Sequence, residues 1–362
     1  MWTGLHVVIL PKRMEAFFGP ASAGLGLGLI TIAGVIVAIL VQPTAGAISD
    51  FAVTRWGRRK PFIVIGALLD VVFLYAVASA DTFLAVVVAL VLLQFASNFA
   101  QGPFQGYVPD LVPARQVGRA SGLMGVMIIF GGMVGVGIAG LGYLQLVPNM
   151  AEPQVRALLF WPTVALGFIE AATMVVLARS VDEGRAALPR EGRSWLRIAL
   201  SAWGTDILRE RSYLWLLVAR LCYLSMPGVI TGYAIFVLER SFHLPPAEAS
   251  PFLFVVGGLI ALSTAVATVP AARLSDRIGR KRVINISFAL AAVGILGVAL
   301  SPFLEVTLLA LVPLGMSAGA FLAVDWALMT DIIPKAQSGR YMGISNVATA
   351  SAGPLGLAVA GV

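Results

Sequence analysis

The chain has 362 residues, of which 59% are hydrophobic and only 12% charged, and its formal net charge is +7. Soluble domains carry a charge on roughly a quarter of their residues, so this chain lacks the charged surface that a water-soluble fold needs. The composition, with a mean hydropathy of +0.92, therefore predicts a protein embedded in a lipid bilayer. The single cysteine, Cys222, excludes an internal disulfide.

Apolar stretches long enough to cross a membrane recur along the chain. A helix needs about 20 residues to cross the hydrocarbon core. Residues 1–18 have the composition of the end of such a stretch, and no signal-peptide cleavage site follows them. Complete stretches fall at 22–49, 61–80, 83–107, 120–146, 157–178, 212–238, 251–272, 283–301, 305–330 and 341–362. The sequence therefore predicts an all-α polytopic membrane protein.

Lysine and arginine are concentrated in alternate connections between these stretches. Of the 25 basic residues, 20 lie in 50–60, 110–119, 179–211, 273–282 and 331–340. Alternate connections lie on one side of the membrane, and basic residues favour the cytoplasmic side. We therefore expect a multi-pass protein of the plasma membrane with its basic loops in the cytoplasm. No nucleic-acid partner is expected, because the basic residues interrupt apolar stretches instead of forming one face.

Two charged motifs occur twice at a nearly constant offset. The segment YVPDLVPARQVGRASG contains Asp110 and Arg119, and MTDIIPKAQSGRYMG contains Asp331 and Arg340, each 221 residues later. The other motif joins an acidic residue to a glycine followed by basic residues. Its members are Asp50, Gly57, Arg58 and Arg59 in the first copy and Asp276, Arg277, Gly279 and Arg280 in the second. Two motifs at one offset indicate a parallel duplication.

The duplication predicts the domain organisation. An N-terminal transmembrane bundle is expected at 1–179, a cytoplasmic linker at 180–210 and a C-terminal bundle at 211–362. The linker is rich in arginine and is expected to carry an amphipathic helix around Trp195–Leu208 at the membrane surface. Subtracting the repeat offset from the stretch at 212–238 places the start of its counterpart before the first residue. We therefore expect a fragment in which helix 1 is truncated and helix 12 is missing.

The duplicated motif resembles the signature that the major facilitator superfamily carries in loops 2–3 and 8–9. The resemblance rests on Gly46, Asp50, Arg55, Gly57, Arg58 and Arg59, and on Ala272, Asp276, Arg277, Gly279, Arg280 and Lys281. RRKPF and NFAQGPFQGYVPDLVP are most similar to the sucrose–proton and glycoside–pentoside–hexuronide symporter branches. The similarity covers essentially the whole chain. It implies two six-helix halves and a secondary transporter that works by alternating access, coupled to protons or sodium, with a sugar-like solute favoured.

The motif residues are candidates for gating. The distribution of basic residues across the membrane explains the arginines but not the acidic residues or glycines. Gly57 and Gly279 permit tight turns, and Asp50 and Asp276 are able to pair with arginine or cap the next helix. In the superfamily these loops hold the two halves together on the cytoplasmic side. The resemblance therefore implies a gating network that also includes Asp110 with Arg119 and Asp331 with Arg340.

Four ionisable side chains lie well inside apolar stretches, where a charge is costly and marks a functional candidate. They are Asp70, Glu170, Arg220 and Asp325. The superfamily fold places helices 7 and 10 at the central cavity, which here are the stretches at 212–238 and 305–330. It places helices 3 and 6, here 61–80 and 157–178, at the periphery. Arg220 and Asp325 are therefore the candidate coupling residues, although Arg220 also lies close enough to the inner face to snorkel. For Asp70 and Glu170 we expect packing or interhelical hydrogen bonding.

Helix 4, the stretch at 83–107, carries a stripe of amide side chains whose spacing puts them on one face of the helix. Such amides either join helices or bind a substrate. The resemblance places helix 4 at the cavity, which favours substrate contact, and amides with aromatic residues suit a neutral, hydroxyl-rich solute. Related sugar symporters often carry an arginine where this chain has Gln105, so coupling is not assigned to that residue. The candidate substrate-binding residues are Gln94, Asn98, Gln101, Gln105, Tyr223, Tyr233, Asp325 and Trp326.

Three other functions are considered. An exporter of the same fold is the main alternative, but the glycine-rich stretch 131–140 lacks the Gly-Pro pair of drug antiporters. A membrane enzyme would need a catalytic cluster, and no phosphate-binding loop or nucleophile motif occurs. A non-transporting sensor of the same fold is the third. The expected partners are a small solute, a coupling ion and lipids. No cofactor or metal is expected, since His6 and His243 are far apart, and the protein is expected to be a monomer.

Overall fold

The computed structural model describes residues 1–19, 22–113, 116–147, 150–183, 188–236, 238, 242–243 and 246–360, in part by backbone alone. The first half of this region is helical throughout. Its elements are α1 (Trp2–Gly4), a π-helical segment (Leu5–Ile9), α2 (Leu10–Phe18), α3 (Ala23–Phe51), α4 (Lys60–Ser79), α5 (Phe83–Gln105), α6 (Tyr107–Leu111), α7 (Val117–Tyr143) and α8 (Glu152–Ser180).

The second half continues the pattern. It consists of α9 (Trp195–Ser201), a 3-10 helix (Thr205–Arg209), α10 (Arg211–Phe236), α11 (Pro246–Ile278), α12 (Arg280–Leu300), α13 (Leu304–Ile332), a 3-10 turn (Lys335–Gln337) and α14 (Ser338–Ala360). Within the described residues, eight helices are long and apolar enough to cross a membrane: α3, α4, α5 with α6, α7, α8, α11, α12 and α13. The predicted all-α polytopic class is confirmed.

The long helices bear apolar side chains on their outer faces. On α3, exposed residues recur every three or four positions, at Leu25, Leu29, Ile32, Ile36 and Leu40. This spacing puts them on one stripe of the helix. A stripe of this kind is unfavourable in water and is the surface that a helix presents to lipid.

Two helices extend beyond the apolar stretches from which they were predicted. The stretch at 157–178 corresponds to α8, which starts at Glu152, and the stretch at 251–272 corresponds to α11, which continues to Ile278. Backbone hydrogen bonding does not stop where the hydrocarbon ends, because water and headgroups solvate the charged side chains of the extra turns. Hydropathy therefore locates the centre of a helix better than its ends.

The predicted linker helix at Trp195–Leu208 is two shorter elements. The α9 helix is capped by Ser194, whose hydroxyl accepts the Arg197 N–H at 3.2 Å, and ends at Ser201. The 3-10 helix follows after a break at 202–204. Ile198 is buried, whereas Leu196 and Leu200 are exposed. The single amphipathic helix of the sequence analysis is therefore wrong in length.

The chain forms two compact units. The first consists of Met1–Tyr107, Phe130–Ile207 and Pro334–Ala350, and the second of Val108–Ile129, Leu208–Ile333 and Ser351–Val362. Leu74, Leu90 and Leu159 are central in the core of the first unit. Tyr223, Phe321 and Val324 are central in the core of the second. The domain boundaries derived from the sequence repeat follow a different criterion and stay a prediction.

Candidate functional site: charge clusters at the repeated motifs and inside the helices

Asp50, near the end of α3, binds the first turn of α14. Its side chain is 1% exposed. Asp50 Oδ1 accepts the Gly339 N–H at 3.2 Å, and Oδ2 accepts the Arg340 N–H at 3.2 Å. The first N–H groups of a helix have no partner inside the helix, and a carboxylate is stabilised there by the helix dipole. Asp50 thus caps a distant helix, which the sequence analysis did not foresee, in addition to the expected pairing with an arginine, Arg59.

Arg59 completes this cluster. Its guanidinium is fully buried and lies 2.8 Å from Asp50 Oδ1. It also donates to Ser338 Oγ at 2.7 Å and to the Pro103 carbonyl near the end of α5 at 3.3 Å. A buried arginine needs several acceptors to offset the loss of hydration. We call Asp50, Arg59, Ser338, Gly339 and Arg340 the Asp50 cluster.

Backbone contact between α3 and α14 brings the cluster together. A Cβ atom added to Gly46 would overlap the Gly339 carbonyl, and one added to Gly343 would overlap the backbone of Pro43. Only glycine permits this approach, because any larger side chain would separate the two helices. Gly46, which the superfamily resemblance includes, is therefore explained by helix contact.

Arg340 connects the Asp50 cluster to the linker. Its side chain forms a bidentate pair with Asp206, with distances of 2.8 and 2.7 Å, and donates to the carbonyls of Ala202 and Gly204. These two carbonyls follow α9, which explains the break in the predicted linker helix. The hydrogen bonds from Arg340 lower the pKa of Asp206 below its ordinary value. A cavity of about 270 Å³ lies beside the pair and is also lined by Asp50 and Arg193.

Gly57 has two reasons to be glycine. Its φ of +117° is unfavourable for other residues. A Cβ atom there would also overlap Glu183. The Glu183 carboxylate accepts the backbone N–H of Arg59 at 3.0 Å and that of Lys60 at 2.6 Å. The glycine therefore allows a linker carboxylate to cap the N-terminus of α4.

The second copy of the motif makes related contacts in the second unit. Asp276, near the end of α11, lies against Gly118 in the first turn of α7. Arg280 donates to the Ala327 carbonyl in α13 at 2.6 Å and pairs with Asp331 at 2.5 Å. Each motif carboxylate thus lies at the first turn of a helix from the other sequence repeat, Asp50 at α14 and Asp276 at α7. Gly279 has a φ of +93°.

The remaining gating candidates differ in their exposure and in their ion-pair partners. Arg58 and Asp110 are half-buried, and Arg119 and Arg277 are exposed. Asp331 pairs with Arg280, and Arg340 pairs with Asp206. Asp331 and Arg340, which belong to one copy of the same motif, are therefore not paired with each other in this structure.

The predicted coupling residues form an ion pair within the second unit. Arg220 of α10 donates to Asp325 Oδ2 of α13, and both side chains are buried. Two opposite charges so deep in apolar surroundings are stable only as a pair. Arg220 therefore does not snorkel to the surface.

The predicted substrate-binding aromatic residues differ in their surroundings. Tyr223 is buried, its ring stacks on Phe321 with centroids 3.9 Å apart, and its hydroxyl lies 2.6 Å from Ser317 Oγ. These contacts belong to the core of the unit. Trp326 is half-buried. The side chain of Tyr233 lies outside the described residues.

The amide stripe of α5 faces α3 over part of its length. Gln94 lies against Gly34, and Asn98 donates to the Gln94 side chain at 3.1 Å. Gln105 is buried, whereas Gln101 is exposed. The amide side chains of the stripe therefore differ in exposure. Gln94 and Asn98 contribute to helix packing, which is one of the two interpretations left open by the sequence.

A family comparison decides what kind of protein carries these clusters. The profile described as Major Facilitator Superfamily matches residues 2–357. The chain belongs to the Major Facilitator Superfamily. Its membership confirms the resemblance drawn from the repeated motifs and an integral, multi-pass membrane protein.

Related sequences and structures agree with membership of the superfamily. The human protein named "Proton-associated sugar transporter A" is 28% identical over 198 residues, which is 48% of this chain and 26% of that protein. The chain thus matches about a quarter of the length of this relative.

A proton:xylose symporter bound to 6-bromo-6-deoxy-D-glucose has a TM-score of 0.70 at 17% identity, covering 98% of this chain and 84% of the symporter. A human organic anion transporter has a TM-score of 0.73 at 18% identity, covering 99% and 89%. The symporter and the anion transporter show the fold alone. All three relatives are transporters and not enzymes.

Sequence reasoning missed several residues at these superfamily motifs. Asn346 of α14 donates to Gln42 Oε1 of α3, and Gln42 is fully buried. Asp206 and Glu183 provide the linker carboxylates described above. All are separated from their partners by more than 100 residues, so no local pattern identified them. Within the described part of the chain, no group of three His, Cys, Asp or Glu side chains is arranged to hold a metal.

Proposed function

We propose that the protein is a secondary active transporter that moves a small, sugar-like solute across the plasma membrane by alternating access, coupled to protons or sodium. Family membership supports the transport mechanism. The name of the human relative supports the solute class and the proton. The anion transporter with the same fold indicates that the fold does not determine the solute.

The Asp50 cluster is the observation that carries the proposal. It joins residues of the duplicated motif to a helix that starts 288 residues later, through two backbone N–H groups bound to Asp50 and a hydrogen bond from Arg59 to Ser338. Acceptors of this kind are replaced by water when the helices separate, so the contact is reversible. A contact that forms and breaks between the two repeats is what alternating access requires of a gate.

The basic end of the molecule is proposed to be cytoplasmic. The Asp50 cluster, Asp276 and Arg280 all lie in or next to loops that contain most of the lysine and arginine. Basic residues are enriched on the cytoplasmic side of membranes. The contacts of the Asp50 cluster are therefore proposed to act on the cytoplasmic side.

Arg220 and Asp325 are proposed to couple the ion to the solute. Protonation of Asp325 would remove its charge and release Arg220, and a solute hydroxyl would then be able to accept from the guanidinium. In the first unit the exposed Gln101, and in the second unit the half-buried Trp326, are each proposed as solute contacts.

Uptake by proteoliposomes tests the proposal. The purified protein is reconstituted, and uptake of labelled sucrose, maltose and glucose is measured with and without an inward proton or sodium gradient. Uptake of at least one sugar above that of protein-free liposomes, increased by one gradient, is expected. Equal uptake by liposomes with and without the protein for all three sugars would overturn the solute assignment.

Asp50→Asn tests the gate in the same assay. Asparagine retains the size of the side chain but removes the charge, and hydrogen bonds to charged groups contribute about 1.5–3 kcal/mol. Turnover should fall severalfold or more. Asp81→Asn is the matched control, since Asp81 is exposed in the loop between α4 and α5. Equal turnover in the two variants would show that the Asp50 cluster is not a gate.

A further inference from the structure

Two carboxyl side chains meet inside the first unit. Asp70 lies in the middle of α4 and is 1% exposed. Its carboxyl group contacts that of Glu170, in α8, and the hydroxyl of Ser97, in α5. All three helices are among those long and apolar enough to cross a membrane. The sequence analysis assigned Asp70 and Glu170 to helix packing, without a relation between them.

One oxygen of each carboxyl group lacks a donor. Asp70 Oδ1 and Glu170 Oε2 are inaccessible to water, and no N–H or hydroxyl group of the described residues donates to them. Two ionised carboxylates in this position would repel each other and leave both oxygens unsatisfied. One proton removes the repulsion and provides the missing donor, because a protonated carboxyl group donates to its ionised neighbour.

Ser97 connects the pair to the N-terminal segment. Trp2 Nε1 donates to Ser97 Oγ at 2.9 Å. The oxygen of Ser97 thus serves as an acceptor, and its hydrogen remains available to the Asp70 carboxylate. The shared proton therefore lies between Asp70 and Glu170, with Ser97 beside the Asp70 carboxyl group.

Among the described residues, no lysine or arginine forms an ion pair with Asp70 or Glu170. On α4, Lys60 lies about 15 Å along the helix from Asp70, and on α8, Arg179 lies about 14 Å from Glu170. The α5 helix contains no charged residue. Near the other end of α8, Arg156 donates to the Ser79 carbonyl.

The N-terminal segment lies beside this part of the first unit, where Trp2 donates to Ser97. His6 lies against the Trp2 ring with centroids 5.1 Å apart. Arg13 is paired with Glu152 at 2.8 Å. Arg13 thus has its own carboxylate partner outside the Asp70–Glu170 pair.

We propose that Asp70 and Glu170 form a proton-binding site in the first unit, in which one proton is shared between the two carboxyl groups. The site is separate from the Arg220–Asp325 pair, where an arginine takes the place of the proton. The contacts that define this site do not depend on the proposed function. Its use as a second coupling site in transport rests on the proposed function.

Infrared spectroscopy of the purified protein tests the site without transport. A protonated carboxyl group gives a carbonyl band distinct from that of a carboxylate. At neutral pH we expect such a band in the wild-type protein and its loss in Glu170→Gln and in Asp70→Asn, because an amide supplies its own donor. Asp325→Asn is the control and should keep the band. A spectrum without the band, or a band that survives both substitutions, would overturn the proposal.

Two further measurements complete the test. Carboxamides have the shape of protonated carboxyl groups, so Glu170→Gln and the double variant Asp70→Asn/Glu170→Gln should keep the melting temperature of the wild type. A large fall in both would show that the ionised forms are required and would contradict a shared proton. Sodium should leave the melting temperature unchanged at constant ionic strength. A rise that Glu170→Gln abolishes would assign the site to a metal cation instead.

Discussion

The two motif glycines share a backbone conformation that disfavours other residues but differ in what surrounds them. Gly57 contacts Glu183, whereas a Cβ atom on Gly279 would meet nothing within 4 Å. Alanine in this region of φ costs about 1–2 kcal/mol at either position. Only Gly57→Ala should also displace the Glu183 cap, which adds about 0.5–2 kcal/mol. Gly57→Ala should therefore lower the melting temperature more than Gly279→Ala.

A double substitution separates the two causes at Gly57. If displacement of Glu183 accounts for the excess, Gly57→Ala and Glu183→Ala should be less than additive in the double variant. Additive losses would show that the cap survives the added methyl group.

Asp206 should make stability depend on pH. Its hydrogen bonds with Arg340 lower its pKa in the folded protein. The stabilisation is therefore complete above the unfolded pKa of about 3.9, and it is lost as pH falls through the lower folded value. Asp206→Asn should melt below the wild type at pH 7, and the difference should disappear as the pH falls below 4. A difference that is constant between pH 3 and pH 7 would contradict the role of this charge.

At the scale of elements, the contact between α3 and α14 depends on glycine. Gly46→Ala would place a methyl group against the Gly339 carbonyl, whereas Gly28→Ala, on the same helix, would meet nothing within 4 Å. Gly46→Ala should therefore weaken the contact. Gly28→Ala should be neutral or raise stability by up to about 1 kcal/mol, since alanine favours helix.

Cysteine labelling measures the opening of this contact. Ala47 is 2% exposed and lines the cavity beside the Asp50 cluster. In a background with Cys222→Ala, a cysteine introduced by Ala47→Cys should react with a water-soluble maleimide faster when Gly46→Ala is added. The Gly28→Ala protein is the control. Equal rates in all three proteins would show that α14 does not separate from α3.

Sequence predicted the elements well because each long helix has its own apolar stretch. The stretches at 61–80 and 83–107 correspond to α4 and α5 within two residues at each end. The pattern failed where a distant residue determines the local structure. Arg340 binds the carbonyls that follow α9, and no residue type between 195 and 208 indicates that contact.

At the scale of the whole molecule, the repeat predicted which residues matter but not which residues they touch. Asp50 and Asp276 were identified by their offset, and both lie at the first turn of a helix from the opposite repeat. Spacing along one segment contains no information on a partner more than 150 residues away. For the same reason, Arg220 and Asp325 were recognised as costly charges in apolar stretches, whereas the contact of Asp70 with Glu170 was not foreseen.

The Arg220–Asp325 pair allows structural and transport roles to be separated. Removing one member leaves a buried charge without a partner and costs about 3–5 kcal/mol, whereas replacing both with apolar residues of similar size is often neutral. Arg220→Met and Asp325→Leu should each lower the melting temperature strongly. The double variant Arg220→Met/Asp325→Leu should recover most of the loss.

Transport should not recover with stability. A coupling carboxylate must gain and lose a proton during the cycle, and the double variant has none at this position. It should fold but fail to accumulate solute against a gradient, while exchange of labelled for unlabelled solute stays measurable. Asp325→Asn should show the same loss of accumulation. If the double variant accumulates solute as the wild type does, the pair only holds α10 to α13, and coupling belongs to a different group, for which Asp70 and Glu170 are the next candidates.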